Sequence, residues 1–206
     1  MSMKRKILVA TTNPGKIAEL KAMLDIYVEL VGLADFEGIA EIEEEGATFA
    51  ENARKKAVGY ARATGLLTIA DDSGLVIDAL DGAPGVKSAR FSGAKEESRE
   101  LLDHKNMARV LKLLEGIPAE KRTARFVCCL CLASPEKILA ETEGTLQGLI
   151  AEKETGHNGF GYDPIFFVPA LNKTVAQLTH EQKNAISHRG NAVRKLKGLL
   201  EKLLGP

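Results

Sequence analysis

Leu66-Leu67-Thr68-Ile69-Ala70-Asp71-Asp72-Ser73-Gly74 joins an apolar β-type run directly to two carboxylates, a hydroxyl and a glycine. The spacing predicts a strand over 66–70 that ends on an acidic edge. Adjacent carboxylates repel one another, so the pair needs water, separate hydrogen bonds or a cation. A hard divalent metal supplies the last of these. A solvated Asp-Ser-Gly turn supplies the first, because these residue types favour turns for backbone reasons alone. Taken by itself the stretch leaves both readings open, and the rest of the chain has to weigh them.

Upstream, Thr48 and Glu51 form a capping box, and Phe49, Ala53, Ala57, Tyr60 and Ala61 recur at helical spacing until Gly65. This helix delivers the chain to the acidic strand end. Just before it lies Ile42-Glu43-Glu44-Glu45-Gly46, whose glutamates are within reach of the same cation. Acid runs are also ordinary solvated loops. Earlier still, Ile7-Leu8-Val9-Ala10 reads as a strand that passes through Thr11-Thr12-Asn13-Pro14-Gly15-Lys16 into a helix with Ile17, Leu20 and Leu24 on one face. Asn13 suits the N-cap and Pro14 the first helical position. Backbone N–H groups, two hydroxyls and the Lys16 ammonium then surround one point, which is an anion site. A capped turn with a solvated lysine remains the plainer reading. A strand is expected over 27–33.

Downstream, 75–80 reads as a strand, 81–85 as a turn and 88–93 as a polar loop carrying Arg90. A helix with Leu101, Leu102, Val110, Leu111 and Leu114 on its apolar side closes at Gly116 and Pro118. Strands are expected over 123–133 and 138–145, joined as a hairpin, with a further strand over 148–152. The segment Gly156-His157-Asn158-Gly159-Phe160-Gly161-Tyr162-Asp163-Pro164 has no regular period. Its glycines permit close backbone approach, and an aromatic ring among them can lie flat on a planar ligand or staple the loop to itself. Thr179 and Gln182 make another capping box for a short helix over 181–186. The last helix carries Val193, Leu196, Leu200 and Leu203, and Ser187 is placed to cap it, with His188 and Arg189 in its first turn. Cations there oppose the helix dipole, so plain surface charge suits them poorly.

Strands alternating with helices and a later hairpin argue for one α/β domain over 1–206 with a twisted, mixed sheet. A smaller lobe within 120–165 and an active-site cleft between lobes are expected. The 28 basic and 28 acidic residues cancel, so no global field gathers DNA, RNA or a membrane surface. No apolar run approaches a spanning helix, and residues 1–6 lead into a strand rather than a signal-peptide core, so a cytoplasmic location is expected. Cys128, Cys129 and Cys131 share the run Phe126-Val127-Cys128-Cys129-Leu130-Cys131-Leu132 with no second cluster to complete a zinc site, and read as buried strand residues.

Four stretches taken together, 10–16, 70–74, 159–164 and 186–190, resemble the inosine triphosphate pyrophosphatase family, which includes the dITP/XTP pyrophosphatases. Residues 48–53 and 85–91 extend the likeness, and its order and spacing cover 7–204. The resemblance implies a hydrolase that converts ITP, dITP and XTP to the monophosphate and pyrophosphate and so cleans the nucleotide pool. It also implies an elongated two-lobed α/β fold, a homodimer, and magnesium, with manganese as the other candidate. Carried over residue by residue, the family's phosphate loop falls on Thr11, Thr12, Asn13, Pro14, Gly15 and Lys16. The catalytic, metal-linked aspartate falls on Asp72, with Ser73 contacting substrate beside it. The metal-binding glutamate falls within Glu43 to Glu45, and Glu44 is selected. The base-binding set falls on Phe160, Gly161, Tyr162, Asp163, Lys183, His188 and Arg189. His157-Asn158 departs from the small residues many members carry before the aromatic loop.

The residue types suit that chemistry. Cleavage between the α and β phosphates needs neutralised phosphate oxygens and a water aimed in line. Asp72 can hold a metal, accept the water's proton, or both. A non-catalytic nucleotide-binding module would carry the same phosphate loop and aromatic shelf. It would gain nothing from Asp71, Asp72 and the glutamate run beside phosphates unless a metal intervenes. A nucleic-acid-binding protein is disfavoured by the zero net charge and the lack of a basic stripe.

Overall fold

The computed structural model describes residues 5–24, 28–95 and 98–204. Strand β1 (Lys6–Val9) leads into helix α1 (Pro14–Leu24), followed by β2 (Glu29–Gly32), α2 (Phe49–Thr64), β3 (Leu67–Ile77) and α3 (Arg99–Leu113). Then come β4 (Thr123–Ala133), β5 (Ile138–Ile150), β6 (Phe166–Val168), β7 (Lys173–Thr174), α4 (His180–Ile186) and α5 (His188–Leu204). The strands form one seven-stranded sheet in the order β2-β1-β3-β4-β5-β6-β7. It is mixed, as expected. β1 runs parallel to both β2 and β3, with Ile7 opposite Leu30 and Leu67, whereas β6 is antiparallel to β5 and β7. Neighbours β4 and β5 are joined by four residues closed by the Ser134 N–H donating to the Lys137 carbonyl at 2.9 Å, which only a hairpin accommodates.

The chain divides into two compact units. The first contains 1–72, 128–144 and 188–206, and the second contains 73–127 and 145–187. Residues 120–165, the expected smaller lobe, are thus shared between the two. The first unit's core gathers Ile7 and Val9 of β1, Leu20 and Leu24 of α1, Ile69 of β3, Cys128, Leu130 and Leu132 of β4, and Val193, Leu196 and Leu200 of α5. The second unit's core gathers Leu75 and Ile77 of β3, Met107, Val110 and Leu114 around α3, and Phe126, Ile150, Tyr162, Ile165 and Phe166. Phe126 and Phe166 stack with ring centroids 4.3 Å apart. Each cluster is a contiguous apolar set, the condition for a unit to hold its own strands in register.

Local signals placed most helix ends. The Asn13 Oδ1 accepts from the N–H groups of Gly15 at 2.9 Å and Lys16 at 3.2 Å, the N-cap expected of it. Thr48 and Thr179 cap α2 and α4 in the same way, accepting from Glu51 and Gln182. Gly65 ends α2 with φ of 71°, in the left-handed region where a side chain would be strained. The three cysteines are buried free thiols.

Several expectations need correction. β3 does not end at the acidic pair; it runs unbroken through Asp71-Asp72-Ser73-Gly74 to Ile77, and 78–80 form a 3-10 turn instead of continuing it. β5 likewise fuses the two strands expected over 138–145 and 148–152 and stops at Ile150. Its glycines mark close approach, since a Cβ on Gly144 would collide with the His188 carbonyl and one on Gly148 with the Phe167 carbonyl. The strand expected over 27–33 is β2, Glu29–Gly32, with Leu33 already in a 3-10 turn and Tyr27 outside the described residues. The loop expected over 88–93 is a 3-10 segment up to Arg90. Leu101 and Leu203, assigned to apolar faces, are exposed, and on α3 the inward positions fall on Asp103, Asn106 and Met107.

Candidate active site

Asp71 and Asp72 are neighbours in a strand, so their side chains leave opposite faces of the sheet. Each meets its own cations. Asp71 is buried, with Lys16 Nζ 2.5 Å from Oδ1 and Arg189 Nε 2.7 Å from Oδ2. The Arg189 Nη1 reaches Glu19 Oε2 at 2.5 Å, and the Cys128 thiol donates to Asp71 Oδ2 at 3.2 Å. Two acids and two bases therefore close a neutral, buried quartet. Burial alone would push the Asp71 carboxyl up, but the charges and hydrogen bonds of Arg189 and Lys16 outweigh it and hold the group well below the usual carboxylate range.

Asp72 stands in a different field. It is 5 % exposed, its Oδ2 accepts from the Asn52 Nδ2 at 3.0 Å, and the Lys56 Nζ lies 3.7 Å from its Oδ1. Burial raises its pKa, and although Lys56 and Lys16 pull the other way, Glu44 adds to the rise. Lys56 itself is tied to Glu44 Oε1 at 2.6 Å and to the Asp71 carbonyl at 2.7 Å. Of the three glutamates in the acidic loop, Glu44 turns inward to this lysine while Glu43 and Glu45 are exposed. Two anchors hold the loop, since the Ile42 N–H donates to the Tyr60 hydroxyl and the Gly46 N–H to the Asn52 Oδ1 at 2.7 Å. Asn52 thus grips Gly46 with one end of its amide and Asp72 with the other. A Cβ on Gly46 would strike that same oxygen.

Lys56 was not anticipated from the sequence. The signal was present, because positions 52, 53, 56, 57, 60 and 61 form the buried stripe of α2 and a lysine there must find a carboxylate. Glu44 and Asp72 consequently converge on one cationic position. A pair of carboxylates around one positive charge is a hard-oxygen set of the kind magnesium or manganese takes together with substrate phosphates. Among the described residues no group of three or more His, Cys, Asp or Glu side chains gathers in this way.

The phosphate-loop residues lie between β1 and α1, as expected, with Thr12 and Pro14 exposed and Thr11, Asn13, Gly15 and Lys16 half-buried. Several of their donors are engaged. The Asn13 side chain occupies the Gly15 and Lys16 N–H groups, the Asn13 N–H donates to Thr11 Oγ1 at 3.2 Å, and Lys16 is held by Asp71. An anion binding here exchanges with these partners.

The remaining candidates belong to the second unit, apart from His188 and Arg189, which open α5 and are buried in the first. Ser73 follows Asp72 on β3 and is half-buried. Phe160 to Asp163 form a tight turn in which Asp163 Oδ2 accepts from the Phe160 N–H at 2.9 Å. Gly159 and Gly161, with φ of 80° and 64°, supply the left-handed conformations the turn requires. The Asp163 Oδ2 also takes the Lys183 Nζ at 2.5 Å, and that ammonium stands 4.3 Å from the Phe160 ring centroid. Tyr162 is a packing residue here, its hydroxyl donating to the Ser88 carbonyl at 2.8 Å. Asn158 explains part of the unassigned pair, since its N–H and its amide pin the loop to the carbonyls of Ala176 and Leu178, each at 3.0 Å.

A model of the Ham1 family matches residues 7–199 of the chain. The chain belongs to the Ham1 family. Among Ham1-related proteins, a dITP/XTP pyrophosphatase of Listeria monocytogenes is 50% identical over 198 residues, covering 95% of each chain. One of Desulforamulus reducens is 47% identical over 199 residues, covering 96% of each. The solved structure of the Staphylococcus aureus Ham1 protein, 40% identical, matches with a TM-score of 0.84 over 96% of this chain and 99% of that one. Within this Ham1 fold, the centre of β3 is where the first unit gathers buried charge, Asp71 and Asp72 meeting Arg189 and Lys56 there and Arg189 meeting Glu19.

Proposed function

We propose that this Ham1-family protein hydrolyses ITP, dITP and XTP, with water, to the nucleoside monophosphate and pyrophosphate. One observation carries the reading. Two lysines from different helices, Lys16 and Lys56, are gathered on the Asp71-Asp72 dipeptide, each held by a carboxylate that a polyphosphate can replace. The two relatives above are named dITP/XTP pyrophosphatases, which supports the substrate class.

In this reading the β1–α1 loop, Glu44, Lys56 and Asp72 handle the triphosphate. Thr11, Thr12, Asn13, Pro14, Gly15 and Lys16 bind its oxygens. Lys56, once released from Glu44, meets charge on the phosphates. A magnesium ion, or manganese in its place, would be held by Glu44 and Asp72 and would neutralise phosphate oxygens when bound. Asp72, whose pKa burial raises, suits the removal of a proton from the attacking water, while Asn52 fixes the carboxylate's orientation. Ser73 contacts substrate. For the base, Phe160 offers its face, Gly161 and Tyr162 shape the turn, and Asp163 positions Lys183. Lys183 and His188 are donors for the 6-oxo group of hypoxanthine or xanthine, where adenine presents a donor of its own. One unpaired buried polar group costs about 1–3 kcal/mol, so two mismatches give roughly 10²- to 10³-fold discrimination against ATP. Arg189 contributes through Asp71 and Glu19, which hold its guanidinium.

The protein is further proposed to work as a cytoplasmic homodimer on free nucleotides, without nucleic acid or membrane partners. No described helix is long and apolar enough to cross a membrane, and the net charge is zero. The test is a panel of nucleoside triphosphates with separate detection of pyrophosphate and orthophosphate. Monophosphate and pyrophosphate from ITP and XTP, well above ATP, are expected. Diphosphate and orthophosphate as first products, or equal kcat/KM for ITP and ATP, would overturn the bond assignment or the selectivity respectively.

A further inference from the structure

Helix α3 carries a buried acid whose place the fold alone does not require. Its inward face consists of Asp103, Asn106, Met107 and Val110, with Leu114 just beyond. Asn106 has a packing task, accepting from the Ser92 N–H at 2.7 Å and donating to the Ala89 carbonyl. Asp103 is different. A carboxylate 8 % exposed beside Met107 and Val110 costs stability unless paired, and an apolar side chain of similar size would pack there at less cost. Its Oδ2 accepts the backbone N–H of Gly161 at 2.8 Å, across 58 residues, and its Oδ1 meets the Arg99 Nε at 3.0 Å one turn earlier.

The surroundings say what that bond does. Between α3 and the glycine-rich loop lies a cavity of about 480 Å³, walled by Arg99, Asp103, Met107, His157, Gly159 and Phe160. Side-chain packing therefore leaves the loop unsupported on this flank. Polar ties span it, among them Asp103 to the Gly161 N–H and His104 Nδ1 to Glu154 Oε2 at 2.9 Å. Gly161 sits directly after Phe160 and has φ of 64°, so the direction of its N–H and the plane of the preceding peptide move together. On the ring's own side, Asp163 and Lys183 fix the turn from within. Asp103 supplies the reference point from outside it.

We propose that Asp103 is a positioning residue for base recognition: by accepting the Gly161 N–H it sets the height and tilt of the Phe160 ring over the 480 Å³ cavity. The proposal rests on the reading of Phe160 as the base shelf. A hydrogen bond to a charged acceptor is among the stronger ones available to a loop, and losing it frees the shelf without removing any contact of Lys16, Lys56 or Asp72.

The experiment compares inhibition by inosine monophosphate, which carries the base, with inhibition by pyrophosphate, which does not. Asp103→Ala and Asp103→Leu remove the acceptor, and the leucine keeps the volume should the alanine variant fold poorly. Both should weaken inosine monophosphate inhibition and raise KM for ITP about tenfold, with kcat within about twofold and pyrophosphate inhibition unchanged. Asp103→Asn, which retains an acceptor oxygen, should restore most of the loss. Equal weakening of both inhibitors, no weakening of either, or an asparagine variant as impaired as the alanine one would overturn the proposal. Phe160→Ala tests the premise separately. Unchanged inosine monophosphate inhibition there removes the shelf itself, whereas a loss there beside wild-type behaviour in Asp103→Leu overturns only the role of Asp103.

Discussion

The Asp71 quartet makes a quantitative prediction about stability. Asp71→Asn keeps the shape of the side chain but leaves the Lys16 and Arg189 cations facing Glu19 alone, all in a site where Asp71 and Arg189 are at most 1 % exposed. Breaking one partner out of a buried pair costs about 3–5 kcal/mol, because the other charge stays buried and uncompensated. For a chain of this size that lowers Tm by roughly 6–20 °C. Arg189→Met removes the opposite charge and should cost about the same. In the double variant the Asp71–Arg189 pair goes as a whole and Lys16 and Glu19 remain as one cation and one anion, so the combined loss should fall short of the sum by roughly 1.5–3 kcal/mol. Urea denaturation of all four proteins measures that coupling. The pH dependence has a definite sign. The folded carboxyl of Asp71 lies well below its unfolded value of about 3.9, so its contribution is complete above that pH and disappears as acid carries the solution down through the folded pKa. The gap between the wild type and Asp71→Asn should therefore narrow below about pH 4. Losses that add to within about 0.5 kcal/mol would refute the quartet as a coupled unit.

Three further outcomes are expected. Asp72→Asn should lower kcat by on the order of 100-fold or more with little change in Tm, as loss of a positioned base or metal ligand does; near-wild-type turnover would remove Asp72 from the chemistry. Lys16→Ala should raise KM for ITP and lower kcat together, the signature of an ammonium that, as proposed, grips phosphate both before and during reaction, and an unaltered kcat/KM would return the residue to a purely structural partnership with Asp71. The thiols of Cys129 and Cys131, pushed up to about 12 by burial and then by Glu143 and Glu141 respectively, should resist alkylation. At pH 8 their thiolate fraction is lower than that of a free thiol by on the order of 10³. Iodoacetamide labelling read by mass spectrometry should be slow in the native protein and fast in urea, and comparable rates would contradict the burial.

What the sequence made legible was local. Asn13, Thr48 and Thr179 announce helix starts because an N-cap satisfies donors two or three residues away, and Gly65 announces a stop because the left-handed turn belongs to one residue. The α/β class followed from the alternation of periods, and the buried cysteine strand from its uninterrupted apolar run. Where the reading failed, the deciding partner was distant. Asp-Asp-Ser-Gly has turn chemistry, yet it lies inside a strand because Arg189, 118 residues on, neutralises Asp71, while Asn52, 20 residues before it, bonds to Asp72. Gly144 and Gly148 flank the gap expected between the strands 138–145 and 148–152, yet β5 runs through both, and they are the points where the carbonyls of His188 and Phe167 come close. Lys56 escaped notice because a single lysine in an amphipathic helix usually faces water, and only its position on the buried stripe said otherwise.

The Asp71-Asp72 dipeptide also explains how one short stretch can serve both stability and chemistry. In a turn the two carboxylates would share one environment, and any cation that suited one would titrate the other. Strand alternation separates them by the thickness of the sheet backbone. One side chain faces Lys16 and Arg189 and is held in its ionised form, while the other has its pKa raised by burial and by Glu44 against the pull of Lys56, Lys16 and Asn52. Opposite shifts in adjacent carboxyls are what a fold needs if one is to remain a fixed counter-ion while the other exchanges a proton. The same reasoning predicts which substitution separates the roles. Asp71→Asn should cost stability first and activity through the freed Lys16, whereas Asp72→Asn should cost activity and spare the fold. Equal loss of Tm in the two variants would mean that the sheet does not insulate the two carboxylates from each other.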